Sequence, residues 1–261
     1  MPSLRNAIGL QELTDKSSGI WRALVAEFLG TGLLNFFGCG SAITGNIVAV
    51  SLSFGLTVAA VIQAIGHVSG GHVNPAVTFG LLAIGKISVL RALLYVLVQC
   101  AGAIAGSTVL LALSPSEQSL GEVLLKNNTT PVQGFGVEFF LAFILVFVVC
   151  GACDPNKPES KPLAPLIIGL AVAIGHIVGI PRTNTGMNPA RALGSAVVTA
   201  KYDDHWLYWV GPILGGVVAS LIYTHVTGPA KPSDRSYNTV PTDEKEMKIF
   251  MKKNCKTNER T

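Results

Sequence analysis

Two copies of one triplet, Asn74-Pro75-Ala76 and Asn188-Pro189-Ala190, and one arginine, Arg191, are the polar features set inside otherwise apolar sequence. Asparagine caps a helix with its side-chain oxygen and proline fits the first helical turn, so each triplet reads as a helix start. One capped start is ordinary. Two in matching surroundings carry chemistry, because an asparagine whose oxygen binds helix amides still holds an NH₂ that can donate. Facing a lumen, Asn74 and Asn188 would both donate to one water, leave it no lone pair for the next water and interrupt a proton wire. Aspartate would donate nothing and would attract cations. Arg191 cannot be neutral, and a charge at membrane depth is a functional candidate. No acidic residue stands near it in sequence, which weighs against a salt bridge that merely locks a loop.

Other groups invite chemistry with less force. Glu27 and Glu138 are carboxylates in apolar stretches, at equivalent places in two halves of the chain. They suit either proton coupling or the bracing of backbone amides, and their symmetry favours bracing, since a transport carboxylate belongs to a unique site. His67 and His72 are expected to brace the loop that carries them rather than bind metal. Cys150 and Cys153 form a C-x-x-C, but no second such pair or His pair completes a zinc site, and five scattered cysteines are not a disulfide framework. Asn127 and Asn128 begin overlapping glycosylation sequons in a polar loop. No nucleophile–base pair, metal set or phosphate loop is visible, so no enzyme, metal or cofactor is expected.

The elements that position these groups follow from composition. The 261 residues are 49% hydrophobic and 13% charged, against about 25% charged in soluble domains. Residues 228–261 hold eight of the nineteen Lys and Arg, so the net charge of +4 belongs to the termini and implies no nucleic-acid partner. The body is too apolar for a soluble globule. An all-α membrane protein in a lipid bilayer is expected. Six segments approach the roughly twenty residues that a spanning helix needs: about 21–42, 50–68, 89–113, 133–153, 163–180 and 206–227. The polar N-terminal stretch lacks the pattern of a cleaved signal peptide, so the first span is expected to direct insertion. Two apolar pieces, near 75–84 and 189–199, are too short to span, and each begins at an Asn-Pro-Ala. With the N-terminus inside, fifteen Lys and Arg fall on the inner side and three, Lys126, Arg182 and Lys201, on the outer side. Both termini are therefore expected to be cytoplasmic.

A shift of 114 residues aligns Gly55, Leu56, Val58, Ala59, Asn74, Pro75, Ala76 and Gly80 with Gly169, Leu170, Val172, Ala173, Asn188, Pro189, Ala190 and Gly194. Each half thus carries three spans and one half-helix, and an odd number of spans turns the second copy upside down. The expected organisation is an N-terminal segment 1–20, a channel body 21–227 made of repeats at about 21–113 and 133–227, and a tail 228–261. Inversion brings the two half-helices together by their N-termini at the midplane. Each end bears about half a positive charge, so the pair repels cations. The glycine- and polar-rich stretches leading in, 66–73 and 181–187, suit extended backbone, which is tolerated at that depth only inside protein or beside a watery cavity. Gly102/Gly106 and Gly211/Gly215 at GxxxG spacing would serve either the fold or subunit contacts.

The motifs SGGHVNPAV and GMNPAR on an inverted six-span repeat resemble the aquaporin, or major intrinsic protein, family over about 20–227, with an animal and somewhat arthropod cast. The resemblance implies six transmembrane helices plus two re-entrant half-helices in a right-handed bundle, homotetramers with one pore per subunit, and the plasma membrane as location. It also implies a selectivity filter of Phe54, His176, Thr185 and Arg191. Exclusion by an arginine and by half-helix dipoles is the general illustration used for such channels. Glycerol-conducting relatives place Asp directly after the arginine, where this chain has Ala192; with Ala196 and Tyr208-Trp209 this resembles the water-selective pattern. Many such relatives carry Cys where this chain has Thr185, a departure that puts mercury block in doubt and widens the filter slightly. The expected function is passive water transport with exclusion of protons and ions. A facilitator that also passes glycerol or urea is the alternative, followed by a proton-coupled transporter and a junctional protein. The tail piece EKEMKIFMKKNCK would bind a regulator or lie solvated.

Overall fold

The computed structural model describes residues 8–115 and 119–228, and the chain divides into two units, Met1–Thr227 and Gly228–Thr261. The second unit, including the tail motif, lies outside the described residues apart from Gly228. Among the described residues six helices are long and apolar enough to cross a bilayer: Ile20–Thr44, Ile47–Ser69, Val89–Leu113, Pro131–Ala152, Pro158–Thr183 and Leu207–Thr227. We name the regular helices in chain order α1 (Ile20–Leu33), α2 (Ile47–Ser69), α3 (Pro75–Ala83), α4 (Val89–Leu113), α5 (Pro131–Ala152), α6 (Ala164–Thr183), α7 (Pro189–Thr199) and α8 (Leu207–Ile222). α3 and α7 are the half-helices, of nine and eleven residues. The protein is a multi-pass, all-helical membrane protein.

Local chemistry sets the ends of these helices. Thr130 caps α5 through a reciprocal bond with Gln133, and Pro131 occupies its first turn. Ser88 caps α4 by accepting from the Arg91 amide at 3.1 Å. α1 does not end at Leu33 but loosens into a π-helical turn, Leu34–Cys39, a geometry that recurs at functional sites. That turn carries the buried Asn35.

The two halves interlock. α2 packs on α6, and the half-helices cross over: α3 lies on α8 and α7 lies on α4. Each half-helix is therefore held by a span of the opposite repeat. At the pseudo-symmetric centre the equivalent residues Gly55 and Gly169 touch each other's backbone, so a Cβ on either would strike the other's carbonyl oxygen. Gly102 and Gly106 abut the backbone of Phe28 and Gly32, while Gly211 and Gly215 abut Phe135 and Phe139. The GxxxG pairs thus bring α1 onto α4 and α5 onto α8 within one chain. This resolves the sequence ambiguity in favour of the fold, because these glycines face a helix of their own repeat rather than the outside.

Candidate channel site

The re-entrant loops are built by the same device twice. Glu27 and Glu138, both 0% exposed, turn their carboxylates onto the loop of their own half. Glu27 accepts from the Ser69 hydroxyl at 2.6 Å, the His72 amide at 2.9 Å, the Val73 amide at 2.6 Å and Gln99 Nε2 at 2.8 Å. Glu138 accepts from the Thr183 hydroxyl at 2.6 Å, the Gly186 amide at 2.8 Å and the Met187 amide at 2.6 Å. Bonds to a charged acceptor are worth about 1.5–3 kcal/mol each; four occupy the lone pairs of Glu27 and three leave Glu138 with one. Tyr95 and Tyr208 complete the frame by donating to the carbonyls of Ser69 and Thr183, at 2.8 and 2.9 Å.

The loops need such a frame because their backbone is strained. Val73, Asn184, Thr185 and Met187 have φ of 43°, 56°, 58° and 54°, the left-handed region that residues other than glycine avoid. Each such residue costs on the order of 1–3 kcal/mol and persists only where its surroundings over-determine it. The strain turns the Val73 and Met187 carbonyls toward the opposite half.

Asn74 and Asn188 cap α3 and α7 as expected, accepting from the Ala76 amide at 2.8 Å and from the Ala190 and Arg191 amides at 3.0 and 3.2 Å. Their NH₂ groups are not wholly free, which corrects the sequence reading. Asn74 Nδ2 donates to the Met187 carbonyl at 3.1 Å, and Asn188 Nδ2 donates to the Val73 carbonyl at 2.8 Å. One N–H of each amide therefore ties the halves together and one remains for a passing molecule. Ala76 and Ala190 are fully buried behind Pro75 and Pro189, which are buried as well.

The four residues expected to form the filter, Phe54, His176, Thr185 and Arg191, are all buried. The Phe54 and His176 rings stack with centroids 4.2 Å apart, and the Arg191 guanidinium carbon lies 5.0 Å from the Phe54 ring centre. His176 Nδ1 is 2.9 Å from the Val172 carbonyl. A carbonyl only accepts, so Nδ1 carries the proton and Nε2 of the neutral ring is an acceptor. Arg191 Nη1 donates to the Gly121 carbonyl at 2.6 Å and to Ser195 Oγ at 3.3 Å. Among the described residues the only ion pairs are Arg91–Glu12 and Lys201–Glu122, so no carboxylate neutralises Arg191. Among the described residues His176 Nε2, Thr185 Oγ1 and Arg191 Nε are buried without a partner. A donor, an acceptor and a hydroxyl thus stand unpaired on three of the four residues expected to form the constriction.

Several residues of this site carried no sequence signal that we read. Gln99 bridges Glu27 and Thr78, and Asn35 Nδ2 binds Ser107 Oγ at 2.9 Å and the Arg191 carbonyl at 3.2 Å. Both are amides inside spans, and buried amides in apolar helices are the signal that would have found them. Gly121 was hidden in a polar loop. His72 Nδ1 lies 3.2 Å from Thr78 Oγ1, whereas His67 is exposed on the last turn of α2. Cys150 is buried and Cys153 exposed, both as free thiols, and among the described residues no three His, Cys, Asp or Glu gather as a metal site. Asn127 donates its amide to the Pro181 carbonyl at 2.6 Å, while the neighbouring Asn128 is exposed.

Outside the constriction a cavity of about 400 Å³ opens, with Arg191 and Phe54 in its lining. Its one carboxylate, Glu122, binds Lys201 at 2.7 Å and Ser119 at 3.0 Å. Burial pushes the Glu122 carboxyl up, but the bonds from Lys201, the backbone and Ser119, with the Lys201 charge, outweigh it and hold the group below its ordinary value.

Comparison with known proteins agrees with this architecture. The family model described as Major intrinsic protein matches residues 14–223. Aquaporin-1 of Homo sapiens is 43% identical over 228 residues, which cover 82% of this chain and 85% of that protein. Aquaporin-2 of Bos taurus is 42% identical over 225 residues, covering 84% and 83%. The X-ray structure of the aquaglyceroporin from Plasmodium falciparum is similar with a TM-score of 0.73 at 27% identity, covering 80% of this chain and 98% of that one.

Proposed function

The chain belongs to the major intrinsic protein family, and from that premise we propose that it is a water channel. It is a conduit and not an enzyme. The observation that carries this reading is the crossed pair of bonds at the centre, Asn74 to Met187 and Asn188 to Val73. Two capped helix ends held there leave one amide N–H each for a single file of small neutral molecules. The half-helix dipoles, about half a positive charge each, oppose a cation, and Arg191 adds a full charge without a counter-ion in the constriction. A water that accepts from both asparagines has no lone pair left toward the next one, so protons do not hop along the file.

The constriction favours water over glycerol. At the ring, water accepts from Arg191 and donates to His176 Nε2, replacing the bonds it leaves behind. Phe54, stacked on His176 and lying under the Arg191 guanidinium, occupies the wall where a carbon backbone would have to lie. Thr185 offers its unpaired hydroxyl to the same file. Osmotic shrinkage of proteoliposomes in an impermeant osmolyte tests the reading. Fast shrinkage independent of a pH gradient, with slow glycerol and urea uptake, is expected; uptake driven by a proton gradient would replace this reading with a transporter.

The remaining assignments rest on the relatives and on charge. Four chains assemble as a homotetramer with one pore each, in the plasma membrane, with both termini in the cytoplasm, as the excess of Lys and Arg on that side supports. The channel body is 21–227, and the tail 228–261 receives any regulator. Of the overlapping sequons Asn128 is the acceptor, since both side chains are exposed but the Asn127 amide already donates to the Pro181 carbonyl.

A further inference from the structure

The outer cavity has more to offer than a path to the constriction. Its volume of about 400 Å³ falls in the range of small-molecule sites, roughly 300–1,000 Å³. Arg191, 3% exposed, lies at its floor. Nη1 is engaged by Gly121 and Ser195, while Nη2 makes no hydrogen bond and Nε is unpartnered among the described residues. Lys126 also lines the cavity, exposed and without an ion pair among the described residues. The single carboxylate in the lining, Glu122, is already satisfied by Lys201 and Ser119. Two uncompensated cations therefore face one concave space. The lining also presents an apolar set, Ile47, Val50, Ile180 and Pro181, beside the neutral polar Asn46, Ser119, Asn127 and Asn184.

We propose that this cavity binds a small organic anion of one aromatic ring, an arene carboxylate or sulfonate. Its charged group docks on Nη2 of Arg191, its ring lies against Ile180 and Pro181, and Lys126 completes the field. A charge-assisted bond from Nη2 to an anion oxygen is of the strong kind, and the floor is sequestered enough that the contact is only partly screened by salt. Seated there, the anion caps the constriction and slows the flow. This consequence rests on the water-channel reading; the binding itself does not.

The test uses benzenesulfonate, which stays charged at all working pH values, with methanesulfonate and phenyltrimethylammonium as controls at equal ionic strength. Saturation-transfer NMR on the purified protein reports binding, and stopped-flow shrinkage of proteoliposomes reports flow. Benzenesulfonate is expected to show transfer and a saturable loss of flow, and methanesulfonate and the cation to show neither. Lys126→Glu is expected to leave flow without the anion unchanged and to weaken binding roughly three- to tenfold. Transfer that persists without flow in any condition supports the site and removes the channel reading. Fast flow with no transfer, equal effects from the cation, or binding indifferent to Lys126→Glu overturns the proposal.

Discussion

Val73 and Met187, 114 positions apart, are each held at both ends of one strained residue. The Val73 amide donates to Glu27 and the Met187 amide to Glu138, each at 2.6 Å. Their carbonyls accept from Asn188 and Asn74, the asparagines of the opposite half. Each buried carboxylate thus acts on the other repeat through a single left-handed residue. Four bonds convert two loops into one rigid centre, and they explain why charge, strain and helix cap are found together.

Asn188→Asp removes the donor to the Val73 carbonyl and sets two acceptors against each other. The lost bond costs about 1–3 kcal/mol, so thermal unfolding moves to lower temperature. A negative charge at the meeting dipoles also admits cations. Vesicles loaded with a pH dye are expected to leak protons with the variant and stay tight with the parent; a tight variant would remove the electrostatic account of exclusion.

Glu138→Gln keeps the shape but presents an NH₂ to amide and hydroxyl donors that now bind carboxylate oxygens. One or two donors lose their acceptor, at about 1–3 kcal/mol each. Reduced thermal stability is expected, with a comparable loss for Glu27→Gln. The flow through whatever protein remains folded should show no new pH dependence. A change in pH dependence would indicate that the carboxylate moves protons.

Mercury separates Thr185 from the thiols the chain already has. Cys39 and Cys150 are buried, Cys100 is half-buried within α4, Cys153, though exposed, lies past the end of α5, and Cys255 lies outside the described residues. Water flow of the parent is expected to survive mercuric chloride, while Thr185→Cys places a soft thiolate in the constriction and becomes sensitive, with recovery on adding excess thiol. Block of the parent would point to Cys39, packed beneath Gly121.

Gly106→Val drives a branched side chain into the Gly32 backbone, which has no flexible end to yield. Overpacking of this kind costs about 1–3 kcal/mol or more. The variant should yield little folded protein, and Gly215→Val should behave alike against Phe139. Normal yield from both would show that these helices can separate without loss.

The Glu122–Lys201 contact should weaken in acid. The carboxyl is held below its ordinary value in the fold, so its contribution is present above the ordinary carboxylate range and is lost as pH falls through the lowered value. Amide exchange in residues 119–128 is expected to quicken, after correction for intrinsic rate, when pH drops to about 3, and Lys201→Met should remove much of that change. Equal protection at both pH values would show that the Arg182 and Asn184 contacts suffice.

Periodicity and punctuation in the sequence determined the six spans, the two half-helices and their head-to-head meeting, because apolar length, asparagine caps and an odd repeat are local or countable properties. The spans near 89–113 and 206–227 were legible to within a residue or two. The matched positions of Glu27 and Glu138 in the two halves were legible through the repeat. What lay beyond reach was anything that depends on the direction of a carbonyl or on a partner distant in the chain. Gly121 lies 70 residues from the arginine it holds, and Gln99 lies 72 residues from Glu27. Nor does a valine announce a left-handed backbone, since local preference argues against it. Only the closed tertiary frame, which over-determines that backbone, decided where the asparagine amides point and which of their hydrogens remain for the lumen.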